Sequence, residues 1–279
     1  EKYRWIILGL TNSKITQGFL NMLNPTISVQ NKDINNLPYI DENKMNNEIE
    51  ERINHLVKEN VEISMNDYDL FETSWDFKKH FLLYDKGRAK IEEIFDKYRI
   101  VCEENFLKIK GNEEKLNKLF IDLFELNGSY NNNVDEKDIS IRRFNKELDI
   151  KSFLSYFIGC MFGRYSLDKE GIIFAGGDFG INQYNKFVPD NDNIVPILNN
   201  DTKYFEDDVM LKFEEFLKVA FSEDYLDENI DFIAEAIGKK SNESSRETIR
   251  KYFVNKFFED HCKMYKKRPI YWQFTSGKN

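Results

Sequence analysis

At 279 residues with a net charge of −9, the chain is long enough to bury one large or two modest cores without covalent staples, and its average sign is opposite to that of a protein that only coats nucleic acid. Its three cysteines, Cys102, Cys160 and Cys262, lie far apart and form no C-x-x-C or Cys/His spacing, which excludes a disulfide framework and a zinc module and fits reduced thiols in a cytoplasmic protein. No apolar run reaches the length of a bilayer span, so no membrane contact is expected, and the Glu1-Lys2-Tyr3-Arg4 opening, with neither an initiator methionine nor a signal peptide, points to a chain that starts inside a longer polypeptide.

Residues 5–23 read as an amphipathic helix with a polar interruption at Thr11-Asn12-Ser13, stopped by Asn24-Pro25 because proline cannot continue the hydrogen-bond ladder. Short extended pieces are expected at 26–30 and 34–39, and a helix at 43–60. The stretch 67–77 (DYDLFETSWDF) mixes acids with aromatics without a period and reads as an ordered surface loop. Residues 90–127 carry the longest helical pattern, with a bend expected at Gly111-Asn112, which together suggest an antiparallel helix pair. After a brief extended piece at 139–141 comes the most apolar stretch. There Phe153, Leu154, Phe157, Ile158, Met161 and Phe162 recur at helical spacing with little polar face, so this helix should be buried. It ends at Gly163-Arg164-Tyr165, followed by a short strand and the pair Gly176-Gly177. Three helices close the chain near 207–221, 226–237 and 245–265, the last with Glu247 placed to complement its start, before a final strand-like piece at 270–274.

The expected fold is therefore mainly α with a few short strands, a multi-helix assembly containing a long helical hairpin. Three regions are expected: 1–40 as the tail of an upstream mixed α/β region, 41–133 as a helical region with the acidic-aromatic loop and the long helix pair, and 134–279 as a C-terminal helical domain around the buried helix 151–162.

Charge is unevenly distributed. Residues 201–235 hold twelve acids against three lysines, and from Lys239 onward eleven basic residues oppose four acids. Such blocks fit helical hairpins that attract one another as well as they fit a phosphate-binding face. The best candidates for phosphate contact are Arg142 and Arg143 with Lys146 and Lys151 nearby, and Lys266, Lys267 and Arg268 followed by Tyr271 and Trp272, since basic residues beside aromatics are what a nucleic-acid groove uses. Lysines capping a helix C-terminus explain 263–267 equally well. Arg164, directly after an apolar helix, calls for an internal carboxylate or carbonyl partner.

No active site is legible. The segment Gly176-Gly177-Asp178-Phe179-Gly180 leads into asparagine-rich coil and not into a helix, as a cofactor loop would. Asn24-Pro25-Thr26-Ile27 lacks the second proline and the aromatic ring of an amino-methylating tetrad. His55, His80 and His261 have no zinc-ligand spacing, and serine hydrolase and kinase signatures are missing. Catalytic, cofactor-binding and metal-binding residues are accordingly expected to be none.

Several strings nevertheless form an ordered set: Leu23-Asn24-Pro25-Thr26, Leu37-Pro38, VEISMNDYDLFETSWDF at 61–77, YFIGCMFGRYSLD at 156–168 with Gly176-Gly177, Asp192-Asn193-Ile194-Val195-Pro196, Tyr204-Phe205-Glu206-Asp207-Asp208, and Lys267-Arg268-Pro269-Ile270-Tyr271-Trp272. Together they resemble the C-terminal part of BREX-type (phage growth limitation) adenine-specific DNA methyltransferases, which are related to type II restriction-modification methylases. The resemblance implies a phage-defence enzyme that transfers a methyl group from S-adenosylmethionine to the N6 amine of adenine in double-stranded DNA, with the cofactor loop and the Asn-Pro-Pro-Tyr site upstream of these residues. The chain would then be a non-catalytic fragment contributing to target recognition, binding no cofactor itself. The alternative is a scaffold that docks other defence-system proteins through the acidic block and the 67–77 loop, with Trp75 and Phe77 as contacts.

Overall fold

The structure is a computed structural model that describes residues 3–26, 28–84, 90–198 and 204–275. Glu1, Lys2, Ile27, Asp201, Lys203 and Lys278, which figure in the sequence argument, lie outside the described residues. Among these described residues ten α-helices follow in order: α1 (Arg4–Thr11), α2 (Lys14–Leu23), α3 (Asn31–Asn35), α4 (Asn47–Tyr68), α5 (Ile91–Leu123), α6 (Lys146–Met161), α7 (Val209–Ala220), α8 (Leu226–Ala236), α9 (Ser245–Asn255) and α10 (Phe257–Met264). The protein is mainly α, as its periodicity requires. None of the described helices is long and apolar enough to cross a membrane.

The local signals account for most boundaries. Ser13 caps α2 by accepting from the Thr16 N–H, and so divides the 5–23 pattern into two helices. Ser244 and Glu247 form a reciprocal capping box at the start of α9, with Glu247 N to Ser244 Oγ at 3.2 Å and Ser244 N to Glu247 Oε2 at 2.9 Å. The 245–265 pattern then breaks at Lys256 into α9 and α10.

Two expectations are corrected. The long pattern is not interrupted at Gly111: α5 is one helix of 33 residues. A glycine inside a helix costs about 1 kcal/mol, but the next residue compensates through tertiary bonds, with Asn112 Nδ2 donating to Glu59 Oε2 (2.7 Å) and Asn60 Oδ1 (2.9 Å). The antiparallel pair is made instead by α4 and the later part of α5. Among the described residues the expected strands are also missing. Among the described residues the one β-type contact is an isolated bridge between Asn127 and Tyr130, part of 34–39 is taken by α3, and 139–141 and 270–274 are irregular. Ile139 and Ile141 are buried with Phe106 and Ile109 of α5. Alternating burial of an extended loop on a helix thus imitates a strand without any ladder partner.

The chain forms two compact units, Glu1–Asp67 with Val101–Arg143 and Tyr68–Ile100 with Phe144–Asn279. Residues 134–143, expected with the C-terminal region, therefore belong to the first unit, and 68–100 to the second. The first unit has its core at Ile6, Ile15, Ile53, Leu56, Val57, Leu116 and Phe120. The second is organised around α6. Nine successive α6 residues, Phe153 to Met161, are buried, and Phe153 and Phe157 meet Phe213, Phe216, Phe221 and Phe253 at ring-centroid distances of 4.9–6.4 Å. Full burial of each such ring contributes about 1.5–3 kcal/mol, so the apolar second half of α6 is the core against which the other helices pack.

Candidate nucleic-acid interface

Helix α6 ends where the chain turns through Gly163 at φ +68°, a left-handed cap that glycine adopts without penalty. The Arg164 and Tyr165 N–H groups both return to the Gly159 carbonyl, at 2.8 and 3.3 Å. This folds the Tyr165 ring back over α6, where it stacks on Tyr156 (4.9 Å, 11°) and meets the edge of Phe77. Only glycine fits beneath it, because a Cβ at position 159 would lie 2.4 Å from Tyr165 Cδ2.

Behind this pile lies a buried carboxyl. Glu72, 6% exposed, comes from the acidic-aromatic loop, and its Oε2 accepts from Ser155 Oγ at 3.0 Å and Tyr265 Oη at 3.1 Å. Its Oε1 has no protein partner. Burial outweighs these bonds and the nearby charge of Arg164, raising the carboxyl from 4.5 to about 7. Arg164 itself is half-buried and donates through Nε to Tyr165 Oη at 3.2 Å. The expected carboxylate or carbonyl partner is thus replaced by a phenol, with Glu72 sensing the guanidinium at longer range.

The second buried group is His261 of α10, 1% exposed. Its Nε2 accepts from the backbone N–H of Ile270 (3.0 Å) and of Tyr271 (3.3 Å). Burial and the Arg164 charge lower its pKa from 6.5 to about 4, so the ring is neutral and can accept. The Tyr271 ring lies between His261 (4.9 Å, 23°) and Phe162 (4.8 Å, 25°).

Between these anchors runs the turn 265–271. Lys266 and Lys267 have φ values of +50° and +63°, a left-handed pair that costs non-glycine residues about 1–2 kcal/mol each. The turn lifts three cations into solvent. Lys266, Lys267 and Arg268 are exposed, and their side chains make no hydrogen bond or ion pair among the described residues. The rest of the basic block is largely engaged. Arg246 binds Glu214 (2.6 Å) and Asp227 (2.8 Å), Lys239 lies 3.6 Å from Asp231, Lys251 pairs with Glu243 and Lys263 with Glu259. Arg250 holds the buried Asp208 with two bonds of 2.8 Å. The acidic and basic blocks therefore do attract one another, and the cations at the end of the second block are left over with exposed Lys240. Trp272, 72% exposed, follows immediately.

The other sequence candidates are placed differently. Arg143 grips Glu136 with two bonds (2.9 and 3.0 Å), reaches Glu103 at 3.3 Å and covers the Phe106 ring at 4.4 Å. Arg142 beside it is half-buried. Lys146 sits 3.8 Å over the Phe232 ring, and Lys151 binds Glu147 and Asp260. These cations serve intramolecular contacts. Trp75 is 97% exposed, whereas Phe77 is 3% exposed and belongs to the core. A cleft of about 870 Å³ gathers Lys79, Lys169, Lys186 and Lys218, but Lys79 is bound to Glu170, Lys218 to Glu223 and Lys169 to Gln183. Asp190, Asp192 and Asp207 bring carboxylate oxygens within 4.8 Å of one another at the surface, with no further sign of a ligand. Asn24 is occupied by its own turn, bonding Thr26, Ser28 and Asp33.

Sequence reasoning missed Glu72 and His261. His261 was weighed only as a metal ligand, and the signal that could have found its role is its place one turn before a proline-containing stop.

No family model matches the chain. Over 98% of its length it is 39% identical to the adenine-specific methyltransferase PglX of Lacticaseibacillus casei (strain Zhang), of which it spans 22%. Over 98% of its length it is also 34% identical to the adenine-specific methyltransferase BrxX of Escherichia coli O9:H4 (strain HS), of which it spans 24%. By sequence the chain is thus similar over nearly its whole length to two proteins named adenine-specific methyltransferases, and it spans less than a quarter of the length of either.

Proposed function

We propose that this chain, related throughout its length to adenine-specific methyltransferases, is a non-catalytic segment of such an enzyme and contributes to recognition of double-stranded DNA through Lys266, Lys267 and Arg268. In this reading the whole enzyme methylates the N6 amine of adenine with S-adenosylmethionine and serves a phage-defence system. The glycine-rich stretch 176–180 does not fit the methyl donor. The glycine pair Gly176-Gly177 precedes a three-residue 3-10 turn (Ile181–Gln183), where a cofactor loop would open a helix with its N–H groups facing the ligand. In this reading the chain's part is holding DNA.

The observation that carries this reading is the contrast within one acidic chain between engaged and unengaged cations. Among the described residues nearly every other arginine and lysine of the C-terminal basic block has a carboxylate partner, while three consecutive ones are unpaired on a buried framework. Phosphate contact releases condensed counterions, so each such cation has a measurable salt signature. In the full-length methyltransferase, replacing Lys266, Lys267 and Arg268 together with Ala should weaken duplex binding. It should also reduce the slope of log K against log salt by about 2.7, three contacts at about 0.9 each. Unchanged affinity and slope would sink the reading.

A second reading, docking of another defence-system protein, is favoured by Trp75. Its 97% exposure is imposed by neighbours that turn inward, Ser74 bonding Asp69 at 2.6 Å and Phe77 entering the core. Under this reading Trp75→Ala abolishes capture of the partner subunit and leaves DNA binding intact.

A further inference from the structure

The turn that carries the three cations is held from beneath by one side chain, and we propose that His261, assisted by Glu72 and Tyr265, is a positioning residue for DNA contact. This rests on the reading that Lys266, Lys267 and Arg268 touch the phosphate backbone. Phosphate contacts set the register of a protein on the duplex, which requires cations on a backbone whose position is settled beforehand.

The backbone hydrogen bonds show how this is arranged. The N–H groups of Lys266, Lys267 and Arg268 close the end of α10 on the carbonyls of Lys263 (3.2 Å), Cys262 (2.7 Å) and Tyr265 (2.9 Å). Pro269 has no N–H. The next two donors, Ile270 and Tyr271, leave the helix end and would be orphaned. Both are taken by the single lone pair of His261 Nε2. At the other end of the turn, Tyr265 Oη is bound to Glu72. Tyr271 is gripped between the rings of His261 and Phe162. The side chains of the left-handed pair Lys266-Lys267 make no hydrogen bond or ion pair among the described residues, so the conformation of the pair depends on these anchors. Without them the three cations remain, but they must be ordered when DNA binds, which lowers affinity without removing a charge.

The test compares variants of the full-length methyltransferase in duplex binding by fluorescence anisotropy over a salt series, with folding checked by thermal melting. His261→Phe keeps an aromatic ring against Tyr271 but accepts nothing. It should weaken binding about three- to tenfold while the salt slope stays at the wild-type value. His261→Gln, whose carbonyl can take the place of Nε2, should restore most of the affinity. Wild-type affinity in folded His261→Phe, or no rescue by His261→Gln, overturns the proposal. If His261→Phe does not fold, Tyr265→Phe releases the opposite anchor, with about two- to fivefold weaker binding expected and wild-type affinity as the refuting result. The triple Ala variant at 266–268 separates the two ideas. If it binds as wild type, the DNA-contact reading falls. If it loses affinity and slope while His261→Phe and Tyr265→Phe bind normally, only the positioning role falls.

Discussion

Replacing Glu72 with Gln separates the charge of the buried anchor from its shape. The amide oxygen still accepts from Ser155 and Tyr265, but the group cannot ionise. Glu72 is 6% exposed, and burial raises its pKa from 4.5 to about 7 against the opposing effect of both hydrogen bonds and Arg164. Below pH 4.5 the carboxyl is neutral in the folded and unfolded chain alike, and burying it carries no charge penalty. As the pH rises towards 7 the unfolded chain ionises while the folded one resists, and above that value the folded protein carries the full penalty. Wild-type stability from this group is thus fully present below pH 4.5 and lost as the pH rises through about 7. At about 1.4 kcal/mol per pH unit the loss is on the order of 3 kcal/mol. The assay is urea unfolding of both proteins from about pH 4.5 to about pH 8, followed by the near-ultraviolet signal of the Tyr156–Tyr165 stack. The difference in unfolding free energy, Glu72→Gln minus wild type, should climb by about 3 kcal/mol and level off above neutral pH. Groups common to both proteins cancel in that difference. A difference that does not change with pH refutes the assignment of Glu72 as a buried, reluctantly ionised carboxyl.

Three further outcomes are expected. Arg250→Ala leaves Asp208, 0% exposed, as an uncompensated buried charge that still caps α7 through Met210 N, and should cost about 3–5 kcal/mol in urea unfolding; a loss under about 1 kcal/mol would contradict the buried-pair assignment. Gly159→Ala places a methyl 2.4 Å from the Tyr165 ring and should destabilise by about 1–3 kcal/mol, with a changed near-ultraviolet spectrum and an unchanged helical one. The His261 ring, with its pKa lowered to about 4, stabilises the fold fully above 6.5 and loses that contribution as the pH falls through about 4; titration by NMR near the ordinary value would show that it is not the buried acceptor described above.

Much of this architecture can be read from local patterns. The apolar run at 153–162 has no polar face, and nine successive residues of it are buried. Glu247 three residues after Ser244 gives the capping box, and Asp208 before an apolar run gives the α7 cap. These signals act within one helical turn, so the residues that produce them are adjacent in sequence. The errors share a different cause. Ile139 and Ile141 alternate like a strand because they rest on α5, and Gly111 looks like a bend because its compensation comes from α4. Trp75 and Phe77 were equivalent as aromatic loop residues, yet one is 97% exposed and the other 3%. Which of two such rings enters a core is decided by the surface it meets.

By itself the sequence determined the helical class, the buried central helix, the main capping signals and, through an ordered set of short strings, kinship with adenine-specific methyltransferases. Charge counting also marked the C-terminal basic block, but a count treats every lysine alike. Only the tertiary structure decided which cations were neutralised. Arg246 and Arg250 meet Glu214, Asp227 and Asp208 across thirty residues or more of chain or a neighbouring helix, while Lys266, Lys267 and Arg268 pair with no carboxylate among the described residues. It also decided that Glu72 and His261, distant in sequence, anchor the same turn. The physical reason is range: helix propensity and capping depend on neighbours a few residues away, whereas ion pairing and burial depend on which distant groups the fold brings within a few ångströms.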